Sequence, residues 1–215
     1  MKILVFDTET TGLLPRNLNM EKEELNKLPY IVQLSFIIYD DINNKLLTTY
    51  DSIVKTPDGV DIPEESSKIH GITNNISKKR GSYIKDVLKV LKSAIENVNC
   101  IVAHNFEFDI NMISIECMRN DMEIDLLEND PWIVCTMRHS TKLCNIEAVG
   151  KTGYKYIKYP QLSELHNKLF NIEPNNLHNS LIDVIVCLRC FYMIFFKKDI
   201  CLINRNVKAL YRRYC

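Results

Sequence analysis

The sequence lacks net charge. Its 215 residues carry 27 Lys plus Arg against 27 Asp plus Glu. That balance excludes a wholly basic protein, but leaves a nucleic-acid partner open, because charge can be segregated along a chain. It also lacks any apolar run approaching the roughly 18 residues that a membrane-spanning helix needs. The closest stretch, Leu181–Phe196, is interrupted by Asp183 and Arg189. The N-terminal MKILVFDTET has one positive charge and an apolar run that stops at Asp7. It is too short for a secretory signal, so a reducing, intracellular compartment is expected, cytoplasmic or nuclear, with no membrane partner. No internal repeat, low-complexity segment or interdomain linker is visible. Finally, no clustered Cys/His set of zinc-site type is present. The eight cysteines at 100, 117, 135, 144, 187, 190, 201 and 215 read as reduced, buried thiols. Cys187-x-x-Cys190 lies on a strongly apolar stretch, and Cys135, His139 and Cys144 have no second pair to complete a zinc site.

What is present is globular composition: 46% hydrophobic and 25% charged residues, enough chain for one substantial domain. The neutral total hides a segregation. Residues 197–215 hold Lys197, Lys198, Arg205, Lys208, Arg212 and Arg213 against the single acid Asp199. This tail reads either as solvated surface or as a phosphate-facing segment beside an acidic site. Richness in Asn, Ile and Lys, whose codons are AT-rich, points to an AT-rich genome of viral or protist type.

The apolar pattern predicts strands at Lys2–Asp7, Tyr30–Tyr39, Leu46–Val54, Cys100–Ala103 and Trp132–Thr136. Residues 13–29 read as a loop or short helix. Helices are predicted at Glu64–His70, from an N-cap at Ser82 through Asn97, at Asn105–Met118, at Gln161–Phe170 and at Asn179–Phe196. Three leading strands followed by α/β alternation predict an α/β fold with a mixed five-stranded sheet and helices on both faces.

Three acidic clusters stand out against these apolar elements. Asp7 and Glu9 are two apart at the end of a strand, so both point to one side of an extended chain. Asp109 lies one turn beyond Asn105, just after the strand Cys100–Ala103. Asp183 lies inside the apolar run Leu181–Leu188, five residues after His178. Each cluster has an ordinary structural reading on its own: a capping Asp, a helix-dipole carboxylate, a buried Asp–Arg pair. Together, four carboxylates in one cleft repel one another unless hard cations with oxygen ligands meet them. Two divalent ions, Mg²⁺ or Mn²⁺, suit in-line displacement at a phosphodiester. A histidine beside them can take a proton from water.

At these residues the sequence resembles the DEDDh (DnaQ-like) 3′–5′ exonucleases, an RNase H-like family. Asp7-Thr8-Glu9-Thr10-Thr11-Gly12-Leu13 resembles the first motif and Ala103-His104-Asn105-Phe106-Glu107-Phe108-Asp109 the second. His178 and Asp183 match the third, His-x4-Asp. Ile69–Thr73 and Pro29–Leu34 resemble intervening family segments, so the likeness covers residues 1–196, with 197–215 as a basic extension packed on or trailing the same domain. The resemblance implies hydrolysis from a 3′ end to nucleoside 5′-monophosphates, on DNA in preference to RNA. It implies two metal ions held by Asp7, Glu9, Asp109 and Asp183, and His178 as general base. It assigns Thr8, Thr10, Thr11, Leu13, His104, Asn105 and Phe108 to the nucleotide. Its partners would be single-stranded DNA or RNA 3′ ends, with a polymerase or a second copy as protein partner. The competing expectation is a nucleic-acid-binding or polymerase-associated scaffold of the same fold without useful turnover. Asn179 departs from the Arg often found after the third-motif histidine.

Other features have bland readings. Val149-Gly150-Lys151-Thr152 ends like a phosphate-binding loop, but Asn145 stands where the leading glycine belongs. Lys151, Lys155 and Lys158 interleave with Tyr154, Tyr156 and Tyr159, either a grip for single strands or a solvated loop. Lys78-Lys79-Arg80 reads as a surface run, and His70 and His166 as structural.

Overall fold

The computed structural model describes residues 1–15, 18 and 22–215. Part of the segment expected as a loop or short helix therefore lies outside the described residues; Lys22–Lys27 is a short 3-10 helix.

Five strands form one mixed sheet. They are β1 (Lys2–Thr10), β2 (Ile31–Asp40), β3 (Lys45–Ile53), β4 (Cys100–Ala103) and β5 (Trp132–Cys135), in the order β3-β2-β1-β4-β5. β1, β2 and β3 pair antiparallel; β4 and β5 join parallel to β1. Alternation along β1 sorts two cores. Ile3 and Val5 face one side with Ile37, Tyr39 and Val102, whereas Leu4 and Phe6 face the other with Leu34, Phe36 and Ile101. The first core is covered by α6 (Leu162–Phe170) and α7 (Ser180–Phe196). The second is covered by α3 (Ile84–Ile95) and α4 (Phe106–Arg119). The expected fold class is the observed one: an RNase H-like sheet with helices on both faces.

Several boundaries differ from expectation. β1 runs three residues past Asp7, because the β2 ladder continues to Thr10. Ser82 does not cap α3. It bridges in parallel to Val54, and Tyr83 takes the cap position. Four helices among the described residues escape the apolar pattern: α2 (Asn74–Arg80), capped by the Thr73 side chain accepting from Ile76 N–H at 3.3 Å, α5 (Thr136–Cys144), and two in the basic tail. α1 (Glu64–His70) is as expected. A separate hairpin of β6 (Glu147–Val149) and β7 (Lys155–Ile157) precedes α6. Its turn contains Gly150-Lys151-Thr152, closed by Gly153 N–H donating to the Gly150 carbonyl. That is hairpin geometry, not the strand–loop–helix of a phosphate-binding loop.

The basic tail is not loose. It forms α8 (Ile200–Ile203) and α9 (Arg205–Tyr214), and Ile200, Cys201 and Val207 join the α7-side core. Asn204 caps α9 by accepting from Asn206 N–H and Val207 N–H, and its amide donates to the Asn44 carbonyl in the β2–β3 turn. Arg205, Arg212 and Arg213 remain on the exposed face. Arg189 on α7 pairs with Asp199, not with Asp183. Its Nε–Oδ1 distance is 3.0 Å and its Nη2–Oδ2 distance 2.6 Å, while its guanidinium lies over Phe170 and Tyr211. Cys187 and Cys190 are buried in the core, and burial pushes both thiols well up, so they are packing groups. No helix among the described residues is long and apolar enough to cross a membrane.

Candidate active site

β1 outruns its neighbour. Its pairing with β4 ends at Val5, but the strand continues to Thr10, so the β4-side edge beyond Val5 needs other partners. Asp109 on α4 supplies one. Its Oδ1 accepts from Thr8 N–H at 3.1 Å and from Thr8 Oγ1 at 2.7 Å. On the opposite face, Asp7 and Glu9 continue the parity of Ile3 and Val5, and α7 arrives above them. The α7 start is pinned there: Ser180 Oγ donates to the Asp7 carbonyl at 2.7 Å, and Ser180 N–H donates to buried Gln33 at 3.3 Å. Asp183, three residues along α7 from Ser180, then faces β1.

The outcome is a carboxylate cluster. Oxygens of Asp7, Glu9 and Asp183 lie within 4.8 Å of one another, and among the described residues this is the group of ligating side chains close enough to hold a metal ion. Asp109 is outside that trio, one step back across Thr8. Burial is the largest cause of a raised pKa in all four. Glu9 is pushed up to about 8, and Asp109 and Asp183 to about 7. Asp7 is also raised well above its ordinary range, by burial and then by repulsion from Asp109, Asp183 and Glu9. Asp183 Oδ1 is buried without a hydrogen-bond partner. An all-oxygen donor set, strong mutual repulsion and an orphaned buried carboxylate oxygen together fit a hard divalent cation.

His178 lies in the loop before α7, in left-handed backbone at φ 68°, and its N–H donates to Asp183 Oδ2 at 3.2 Å. The same loop is held from the far side, where Asn175 and Asn176 donate to the carbonyls of Cys215 and Tyr214. His178 is exposed and lines a cleft of about 510 Å³ with Asp7, Glu9 and Asp183. Of the residues expected at the nucleotide, Thr8, Leu13, His104, Asn105 and Phe108 line that cleft. Leu13 presents its side chain to solvent at 87% exposure. Asn105, at φ 77°, turns the chain from β4 into α4. Thr10 and Thr11 do not line the cleft. Thr10 Oγ1 donates to the Gly12 carbonyl at 2.7 Å, and Thr11 Oγ1 accepts from Tyr30 N–H at 2.9 Å. His104 lines the cleft with both ring nitrogens engaged, at 2.9 Å from Thr136 Oγ1 and 3.1 Å from the Pro160 carbonyl. Burial lowers it to about 4, so the neutral ring donates from Nε2 to Pro160 and accepts at Nδ1. It braces the segment before α6 against β4.

Of that segment the sequence offers only Tyr159 as a contact to nucleic acid; Gln161 and Leu162 were not expected at the site. Tyr159, Gln161 and Leu162 line the cleft, with Met137 from α5. The helix start itself was expected at Gln161, whose N–H donates to Glu164 at 2.7 Å, but nothing in these residue types points to the cleft. His70 is buried, accepts from Ile72 N–H and is lowered by burial, in keeping with a structural role.

Residues 4–191 match the exonuclease family, spanning both arms of this cleft. The chain belongs to that family. In fold, this exonuclease-family chain is similar to E. coli exonuclease I in complex with a dT13 oligonucleotide, at a TM-score of 0.67 and 18% identity, over 92% of this chain and 41% of that one. The zinc-bound form of the E. coli exonuclease I–single-stranded DNA complex gives 0.65 and 18%, over 95% and 43%. Exonuclease X in complex with 5′ overhanging duplex DNA gives 0.57 and 20%, over 91% and 92%. At these identities the likeness is one of fold. The chain spans about two fifths of the length of exonuclease I. No curated protein matches the sequence.

Proposed function

We propose that this exonuclease-family chain is a metal-dependent 3′–5′ exonuclease of the DEDDh type, releasing nucleoside 5′-monophosphates from DNA. The observation that carries this reading is the convergence of Asp7, Glu9 and Asp183 within 4.8 Å beside an exposed histidine in one cleft. Asp7, Glu9 and Asp183 would hold two divalent cations, Mg²⁺ or Mn²⁺, with Asp109 completing the set through its place beside Thr8. When bound, such ions neutralise the cluster, activate water and stabilise charge on the leaving oxygen. His178 accepts the proton of the attacking water on its imidazole. The Asp183–His178 backbone bond keeps that ring beside the carboxylates. Leu13 stacks against the terminal base, and Asn105 and Phe108 shape the nucleotide pocket opposite. His104 positions the far wall through Pro160. DNA is the preferred substrate on the likeness to exonucleases I and X, which are described with DNA.

The test is direct. A 5′-labelled single strand is incubated with Mg²⁺ or Mn²⁺, with EDTA and Asp183→Ala as controls. Stepwise shortening from the 3′ end that both controls abolish is expected. Binding without shortening in either metal would refute the reading and favour a scaffold.

A further inference from the structure

We infer that the β6–β7 hairpin is a stacking platform for single-stranded DNA leaving the cleft; this rests on the cleft holding a 3′ end. The hairpin forms its own two-stranded sheet, apart from the main five, and none of its strand residues is buried. Two short strands without a core add little stability, so their aromatic side chains are not explained by folding. Yet Tyr154 is 62% exposed, Tyr156 42% and Tyr159 57%. The first two rings are organised. Their centroids lie 5.5 Å apart with planes inclined at 34°. The Tyr154 ring also sits on Gly150 so closely that a Cβ there would come within 2.8 Å of it. Gly150 has no positive φ, so the ring, not the backbone, demands the glycine.

Position and charge then choose the occupant. Tyr159, two residues beyond β7, lines the cleft, so the chain leads from the site directly into the hairpin that carries the other two rings. Lys151, Lys155 and Lys158 interleave with the tyrosines. Lys158 is bound to Glu164 at 2.6 Å, and Lys155 lies 3.5 Å from Glu147, while Lys151 stands at the turn. Ring faces beside ammonium groups match unpaired bases beside phosphates; duplex bases are already stacked on one another and cannot use them.

The experiment compares affinity for oligothymidylates of roughly three and roughly fifteen nucleotides, lengths that stop within the cleft or reach beyond it. Ca²⁺ replaces the catalytic cation and anisotropy reads binding. Tyr154→Ala/Tyr156→Ala changes only exposed side chains. Gly150→Ala displaces the Tyr154 ring while keeping every aromatic group. Gly150→Ala should bind the long strand about five- to a hundred-fold more weakly, the ratio for losing one base–aromatic stack, and the double variant at least as much more weakly. Their affinity for the short strand should not change. Equal losses at both lengths, no loss at either, or a change of oligomeric state instead would overturn the platform. If the wild type cuts neither strand with Mg²⁺ or Mn²⁺, the cleft reading fails, and the affinity ratio still decides the platform.

Discussion

Without metal, the carboxylate cluster should make the protein less stable as pH rises. A carboxyl whose folded-state value is raised holds its proton in the folded state after the unfolded chain has released it. The penalty is absent below the unfolded value, grows between the two values, and is complete above the folded one. Glu9 moves from 4.5 to about 8. At 1.36 kcal/mol per unit, its penalty grows by about 3–4 kcal/mol between pH 5 and pH 8. Asp109 and Asp183, at about 7, act in the same direction. Protonating one carboxyl relieves its neighbours, so the cluster costs less than the separate shifts would suggest. For a domain of this size, Glu9 alone corresponds to a fall in Tm of roughly 10 °C. Differential scanning fluorimetry in EDTA from pH 5 to pH 8 reads it. Saturating Mg²⁺ or Mn²⁺ should restore the lost stability, so the metal-induced shift in Tm should be small at pH 5 and largest at pH 8. Asp183→Asn keeps the acceptor for His178 N–H but removes one charge. In EDTA at pH 8 it should be more stable than the wild type. A flat Tm in EDTA, or a less stable Asp183→Asn protein at pH 8, would refute the assignment of these four groups to one repelling cluster.

Three further outcomes are expected. His178→Ala should lower turnover by roughly 10²–10⁴-fold while leaving oligonucleotide affinity in Ca²⁺ unchanged, as single-turnover kinetics and anisotropy would report. Asp7→Asn, at the carboxylate that Asp109, Asp183 and Glu9 all repel, should reduce Mn²⁺ stoichiometry in calorimetry; an intact stoichiometry would remove Asp7 from the metal set. Arg189→Ala should cost about 3–5 kcal/mol in denaturant unfolding, because it leaves Asp199 without its partner among α6, α7 and α9.

Legibility in the sequence followed burial on two sides. Asp7, Glu9 and Asp183 could be placed because a carboxylate inside an apolar run is costly without a cation, and strand parity put two of them on one side. His178 could be placed in the loop before α7 because five residues to Asp183 do not share a helix face. The centre of the main sheet was legible for the same reason: β1, β2 and β4 carry apolar runs buried on both faces. What the pattern missed has little or one-sided burial. α5 buries only Thr136, Ser140 and Cys144, so no apolar stripe announces it. The β6–β7 strands bury nothing, and their tyrosines and lysines read equally as a solvated loop. The tail was ambiguous because its charges dominate its composition. Its apolar residues Val207, Leu210, Tyr211 and Tyr214 nevertheless recur at helical spacing and pack on the α7-side core. Neutral total charge is thus the sum of two structural facts: four carboxylates gathered where β1 outruns β4, and an amphipathic α9 whose apolar face is core and whose arginines face water. Removing residues 197–215 would strip that core before it tested any phosphate contact, so the tail's electrostatic role is separable only by neutralising Arg205, Arg212 and Arg213 individually. Such variants should keep Tm, and a shallower salt dependence of DNA binding would assign their charge to phosphate.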